Sequence, residues 1–181
     1  MLVGGVLDRL YLTGTVATAS AQEARAGAPP KPLTSAEMQA EIERLKTLVP
    51  SYSHPMQDVA INWQSLWFAA QKKNWPLARY FYNEARSHIA WTVRINPNDK
   101  VNDEIVDLKS IYDAIDTSSL MMVREAIERQ NSTQFVSAYK TMLESCYSCH
   151  KSAGKPMIRP QIPTANALTI VNLDPAATWP E

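Results

Sequence analysis

Cysteine is nearly absent from this chain, with two among 181 residues, and histidine is little commoner at three. Glycine is scarce at five residues. Charge of one sign is missing as well, because lysine plus arginine and aspartate plus glutamate balance to a formal net charge of zero. No basic run or stripe offers a footprint for nucleic acid. No apolar stretch reaches the roughly 18 residues that a membrane-spanning helix needs. Internal repeats and low-complexity runs are absent, and no convergent group of acids and bases specifies a reaction, so an independent enzyme is not expected. Scarce glycine and the apolar periodicity point instead to helices, with prolines gathered toward the two ends of the chain.

The two cysteines that are present fall in one five-residue run, Cys146-Tyr147-Ser148-Cys149-His150. C-x-x-C-H is the attachment signature of a c-type haem: the thiols add across the two vinyl groups and the histidine becomes an axial ligand of the iron. On a helix, Cys146 and Cys149 are i,i+3 neighbours and His150 lies four residues beyond Cys146, so one turn presents both sulfurs and the imidazole to one face of a flat macrocycle. Competing chemistries fit less well. A thioredoxin-like C-x-x-C belongs in a βαβ setting that this chain lacks. A zinc site needs further ligands, and the other histidines are His54 and His88 alone.

Residues 1–21 read as a truncated signal peptide with Ala19-Ser20-Ala21 as its cleavage site, although Asp8 and Arg9 interrupt its apolar stretch. Covalent haem is generally attached after export, which places the protein in the periplasm. Residues 22–33, with Pro29, Pro30 and Pro32, are expected to form a disordered spacer. Residues 34–155 are the haem-binding helical bundle, and residues 156–181, rich in proline, are an extended C-terminal tail.

Within the bundle, Thr34-Ser35-Ala36-Glu37 is a capping box that starts a short extra helix running to about Leu48, with Met38, Ile42, Leu45 and Val49 on one face. A first long helix begins at Ser53-His54-Pro55 and carries Met56, Val59, Ala60, Trp63, Leu66, Trp67 and Ala70 at helical spacing. Asn74 caps a second, with Leu77, Tyr80, Phe81, Ala85, His88 and Trp91 on its seam. A third is expected over residues 102–130 with a seam of Ile105, Leu108, Ile111, Tyr112, Ile115, Met122 and Ala126. The fourth, from about Ser132 to Lys151, bears Phe135, Ala138, Tyr139, Met142 and then the motif. The fold class is therefore all-α, an antiparallel four-helix bundle with an extra N-terminal helix and an irregular tail.

Four amphipathic helices with Cys146, Cys149 and His150 near the end of the last one resemble the class II cytochromes c, the cytochrome c-prime group and its low-spin relatives. The resemblance covers roughly residues 53–152. It departs from the family in the extra helix, in the tail, and at Gly154, where the family usually has a basic residue four positions after the motif histidine. Relatives of this kind are often dimers through their first two helices, which leaves a homodimer open.

In such a bundle the N-terminal end of the first long helix and the later part of the second lie level with the motif. Met56 is in register with Ala60 and Trp63, and it matches the place where low-spin class II cytochromes offer a methionine. It is the expected distal ligand, giving a six-coordinate iron with His150. His54 is the alternative ligand, and His88 is a third candidate or a neighbour of the haem edge. Trp63 flanks the haem and Arg86 partners a propionate, since its planar fork suits carboxylates. The function these residues suggest is a monohaem, periplasmic one-electron carrier that meets redox partner proteins. If no side chain reaches the sixth position, the alternative is a five-coordinate haem that binds or senses nitric oxide or carbon monoxide. A third reading is the cytochrome subunit of a larger redox complex, with the tail as its docking arm.

Overall fold

The computed structural model describes residues 31–178. The expected leader over 1–21 lies outside the described residues, as do most of the expected spacer and the end of the tail. The chain divides into two compact units, one ending at Thr47 and one beginning at Leu48. In the first, helix α1 (Ser35–Leu48) begins at the expected capping box. The Thr34 amide donates to Glu37 Oε2 at 2.6 Å and the Glu37 amide returns a bond to Thr34 Oγ1 at 3.3 Å, so two orphan donors of the first turn are satisfied reciprocally. Glu41–Arg44 and Glu43–Lys46 pairs line its polar side.

The second unit is mostly helical. Helices α2 (Ser53–Gln71) and α3 (Trp75–Ile95) pack on each other along their length, joined by a short turn. Asn74 caps α3, accepting from the Leu77 amide at 3.2 Å, and Pro76 sits in the first turn, where its missing N–H costs nothing. Helix α4 (Leu108–Ile115), a wide π turn (Asp116–Leu120) and helix α5 (Met121–Glu128) follow one another without leaving helical dihedrals. Helix α6 (Ser132–Ser152), capped by Asn131, packs against α2, α4 and α5. Counting α4 through α5 as one rod, the described residues contain five helices. The core lies where these helices meet: Leu66, Ala69, Ala78, Phe81, Ala85, Leu120, Val123, Phe135, Ala138 and Tyr139 are buried to 3 % exposure or less.

Three expectations are corrected. The fold is not wholly α-helical, because strands β1 (Asn98–Val101) and β2 (Glu104–Asp107) form an antiparallel hairpin, pairing Asn98 with Asp107 and Val101 with Glu104. Asn102 and Asp103, both at positive φ (50° and 68°), make its two-residue loop, a conformation that asparagine and aspartate tolerate better than most residues. Consequently the helix expected from residue 102 starts at Leu108, with Asp107 as its cap, and Ile105 is 78 % exposed instead of lying on a seam.

The second correction concerns the buried face beyond the π turn. An uninterrupted α-helix would carry the seam from Ile115 to Met122. The π turn takes in one extra residue, so the face advances by one position: Met122 is 45 % exposed, whereas Val123 is fully buried. Thr117 and Ser118 stabilise the wide turn by donating their hydroxyls to the carbonyls of Asp113 and Ala114. The third correction lies on α3, where Tyr80 is 55 % exposed and Tyr82 takes its place inside. The Tyr82 hydroxyl donates to the Leu120 carbonyl at 3.1 Å, and burial pushes its pKa up to about 12.

The register shift makes a direct prediction. Val123→Ala should cost about 2 kcal/mol in urea unfolding, because it empties a fully buried position. Met122→Ala should stay within about 0.5 kcal/mol of wild type. The reverse order would mean that the helix runs through without the extra residue.

Candidate functional site

The motif lies in the last turns of α6, and the way that helix ends sets the site. The Gly154 amide donates to the Lys151 carbonyl at 3.1 Å and the Lys155 amide to the His150 carbonyl at 2.8 Å. This is a Schellman end with Gly154 at the left-handed position, φ 69°. A side chain there would add roughly 1–2 kcal/mol of backbone cost. Its Cβ would also come within 3.0 Å of Val101 Cγ1 on the hairpin. Glycine at the position where the resemblance leads one to expect a basic residue therefore has a structural cause: the chain turns sharply here and passes close to β1.

Cys146, Cys149 and His150 line a cavity of about 590 Å³, within the size range of cofactor and ligand sites. From α2, Met56, Val59, Ala60 and Trp63 line it, so two helices far apart in sequence supply the expected anchors, proximal ligand and distal ligand to one space. Its walls are mainly apolar, with Ile89 and Val93 of α3, Leu108 and Ile115 of α4, and Met142 and Leu143 of α6. Trp63 is buried and stacks on Tyr139 at 5.1 Å between centroids and 16° between planes. The Tyr139 hydroxyl donates to the Trp63 carbonyl at 3.0 Å, which ties α6 to α2 beside the cavity. Trp63 Nε1–H is a buried donor with no acceptor among the described residues, an arrangement that costs about 1–3 kcal/mol.

His150 is oriented by the tail. Its Nδ1 lies 3.0 Å from the Ile158 carbonyl oxygen. A carbonyl can only accept, so Nδ1 carries a proton, and in the neutral ring Nε2 keeps its lone pair, the form that binds a metal. The two thiols are not in a disulfide. Burial pushes the Cys146 thiol up to about 12 and raises Cys149 as well, the latter opposed by the Lys155 charge. Reactive dithiols are activated by lowered thiol pKa values, so this pair is poorly suited to thioredoxin-like exchange. Among the described residues no group of three or more His, Cys, Asp or Glu side chains converges on a common point that could serve as a zinc ligand set. A large, mostly apolar cavity, two thiols one turn apart and an imidazole with a free Nε2 are together a donor set that fits a covalently held haem.

Three of the expected residues stand elsewhere. His54 is exposed in the first turn of α2 and does not line the cavity. His88 is held on α3, with Nδ1–H donating to the Glu84 carbonyl at 2.8 Å and Nε2 3.6 Å from Asp58 Oδ2. Arg86 is engaged by Asp116 in a two-pronged pair at 2.5 and 2.6 Å, which raises its pKa and fixes the start of the π turn. Neither His88 nor Arg86 is in the cavity wall.

The wall residues that sequence reasoning missed include a stretch of the tail. Ile158 to Gln161 and Pro163 to Ala165 form part of the wall. The segment is held by side chains of the bundle: Gln64 Nε2 donates to the Ala165 carbonyl, Ser65 Oγ lies 3.4 Å from Asn166 Oδ1, and Asn74 Nδ2 donates to the Leu173 carbonyl at 3.2 Å. Leu168, Val171 and Leu173 pack on the core. On the hairpin side, Lys155 Nζ joins Asp99 Oδ2 at 2.9 Å and lies 5.1 Å from the centroid of the Tyr52 ring. No pattern in the sequence announces these anchors, because single Gln and Asn side chains reach carbonyls about a hundred positions away.

No protein-family model, no curated protein and no solved structure matches this chain. No helix among the described residues is long and apolar enough to cross a membrane.

The thiol environment predicts slow chemistry in the haem-free protein. At pH 8, folded Cys146 should react with iodoacetamide roughly two to three orders of magnitude more slowly than a free cysteine, because so little thiolate is present. Unfolding in guanidinium should restore the ordinary rate. A folded rate equal to that of free cysteine would contradict the desolvation that raises the pKa of this half-buried thiol.

Proposed function

We propose that this protein is a monohaem c-type cytochrome, a divergent relative of the class II group, that carries single electrons in the periplasm between redox partner proteins. The observation that carries the reading is one cavity that takes Cys146, Cys149 and His150 from α6 and Met56 from α2. Short links between α2 and α3, and between α5 and α6, support an antiparallel four-helix bundle as its frame. Cys146 and Cys149 would be the thioether anchors, His150 the proximal ligand and Met56 the distal one.

A haem bound in this site supplies a ferric/ferrous couple. The chain's own residues do the rest. The Ile158 carbonyl fixes the tautomer and ring orientation of His150. The Tyr139 bond to the Trp63 backbone holds α2 against α6, and so fixes the Met56 helix relative to the motif. Val59, Ala60, Ile89, Val93 and Leu143 keep the interior apolar, which limits water and with it the reorganisation that accompanies a change of charge. Met56 lies in the cavity wall, which His54 and His88 do not, so the methionine is the ligand to test first.

The visible spectrum of the matured protein, ferric and ferrous, with and without carbon monoxide, distinguishes the readings. Sharp low-spin bands unchanged by the gas are expected, and Met56→Ala should convert them to a high-spin spectrum that shifts when carbon monoxide is added. A wild-type spectrum that is high-spin and responds at once to the gas would replace the carrier with the gas-binding or sensing protein. Persistence of the low-spin bands in Met56→Ala would remove Met56 as the ligand.

A further inference from the structure

The cavity is apolar through most of its wall but not all of it. Its polar lining includes Asp99 from the hairpin and Lys155, Arg159, Gln161 and Thr164 from the segment after the motif. Asp99 and Lys155 neutralise each other at 2.9 Å. Arg159 is different: it lies in the cavity wall, is exposed, and has no hydrogen bond or ion pair with any described residue. Arg79, Arg86, Arg124 and Arg129 of the bundle each have a carboxylate within 4.0 Å, and Arg94, which like Arg159 pairs with no described residue, is not in the cavity wall. A guanidinium is always charged, and its fork matches a carboxylate with two parallel bonds. An amphiphilic ligand with an apolar body and carboxylates at one edge is the complement of such a wall.

We propose that Arg159 is the carboxylate-binding residue of the cavity, so that the bound group lies with a carboxylate toward the tail. The inference rests on the haem reading, in which the carboxylates are the propionates, and it transfers to Arg159 the role that Arg86 was expected to fill. It also gives the tail a place in the site: the segment that orients His150 through Ile158 would, one residue later, hold the opposite charge of the bound group. An arginine beside the haem disfavours the more positive ferric state, so it raises the reduction potential.

The test uses the matured, haem-bearing full chain as wild type, Arg159→Gln, Arg159→Lys and Lys151→Gln. Lys151 is exposed on α6 near the motif and serves as a control for charge alone. Two quantities are read: the propionate bending band in the resonance Raman spectrum and the midpoint potential. Arg159→Gln should move the band and lower the potential. Arg159→Lys should keep most of the potential while moving the band part of the way, because a point charge replaces a fork. Lys151→Gln should leave the band in place. An unmoved band in Arg159→Gln, or an equal movement in Lys151→Gln, would overturn the assignment while leaving the haem reading intact. Wild-type protein that carries no haem after maturation would overturn both.

Discussion

The position at which α6 stops is the constraint on which the rest of the site depends. If the helix ran on, His150 would lie in mid-helix and the following chain would leave along the helix axis. Gly154 turns it instead, the Schellman bonds to the His150 and Lys151 carbonyls close the end, and the chain folds back beside its own last turn. Only then can the Ile158 carbonyl reach Nδ1 of His150. The same turn brings Lys155 to Asp99 on the hairpin and delivers Arg159 to the cavity wall. One glycine in a left-handed conformation therefore couples the motif, the hairpin and the tail.

Around that point the packing is arranged so that the cavity persists inside an otherwise dense core. Trp63 and Tyr139 stack at its edge, and the aromatic contacts continue through Trp67 and Phe135 to Trp75. Large rings that bury wide surfaces at low entropic cost make a stiff wall, which would suit the proposed electron carrier by keeping its ligands in place when the charge changes. The high thiol pKa values fit the same picture. Cysteines in this environment are poor catalysts of exchange.

The helices and the motif were legible in the sequence because their signals are local. Capping residues Thr34, Asn74 and Asn131 precede helix starts, and the C-x-x-C-H spacing is a property of one turn. Met56 could be placed at the motif's level from bundle geometry alone, and the structure puts it in the same cavity. What escaped was what depends on backbone detail or on long-range partners. Nothing in Asn98–Asp107 alternates strongly enough to announce a hairpin, whose turn rests on Asn102 and Asp103 accepting positive φ. The π turn displaces a seam by one residue, a shift that no periodicity count with a fixed repeat can see. Arg86 was a reasonable propionate partner on charge alone, but Asp116, thirty positions away, engages it first.

The central claim is that Cys146 and Cys149 hold a haem covalently, and the most direct measurement is the intact mass of the protein after expression with a haem-attachment system, taken under denaturing conditions. The account predicts a gain of one haem that survives denaturation, is lost when Cys146 and Cys149 are both changed to serine, and is retained in His150→Ala. A denatured mass equal to that of the bare chain would contradict it.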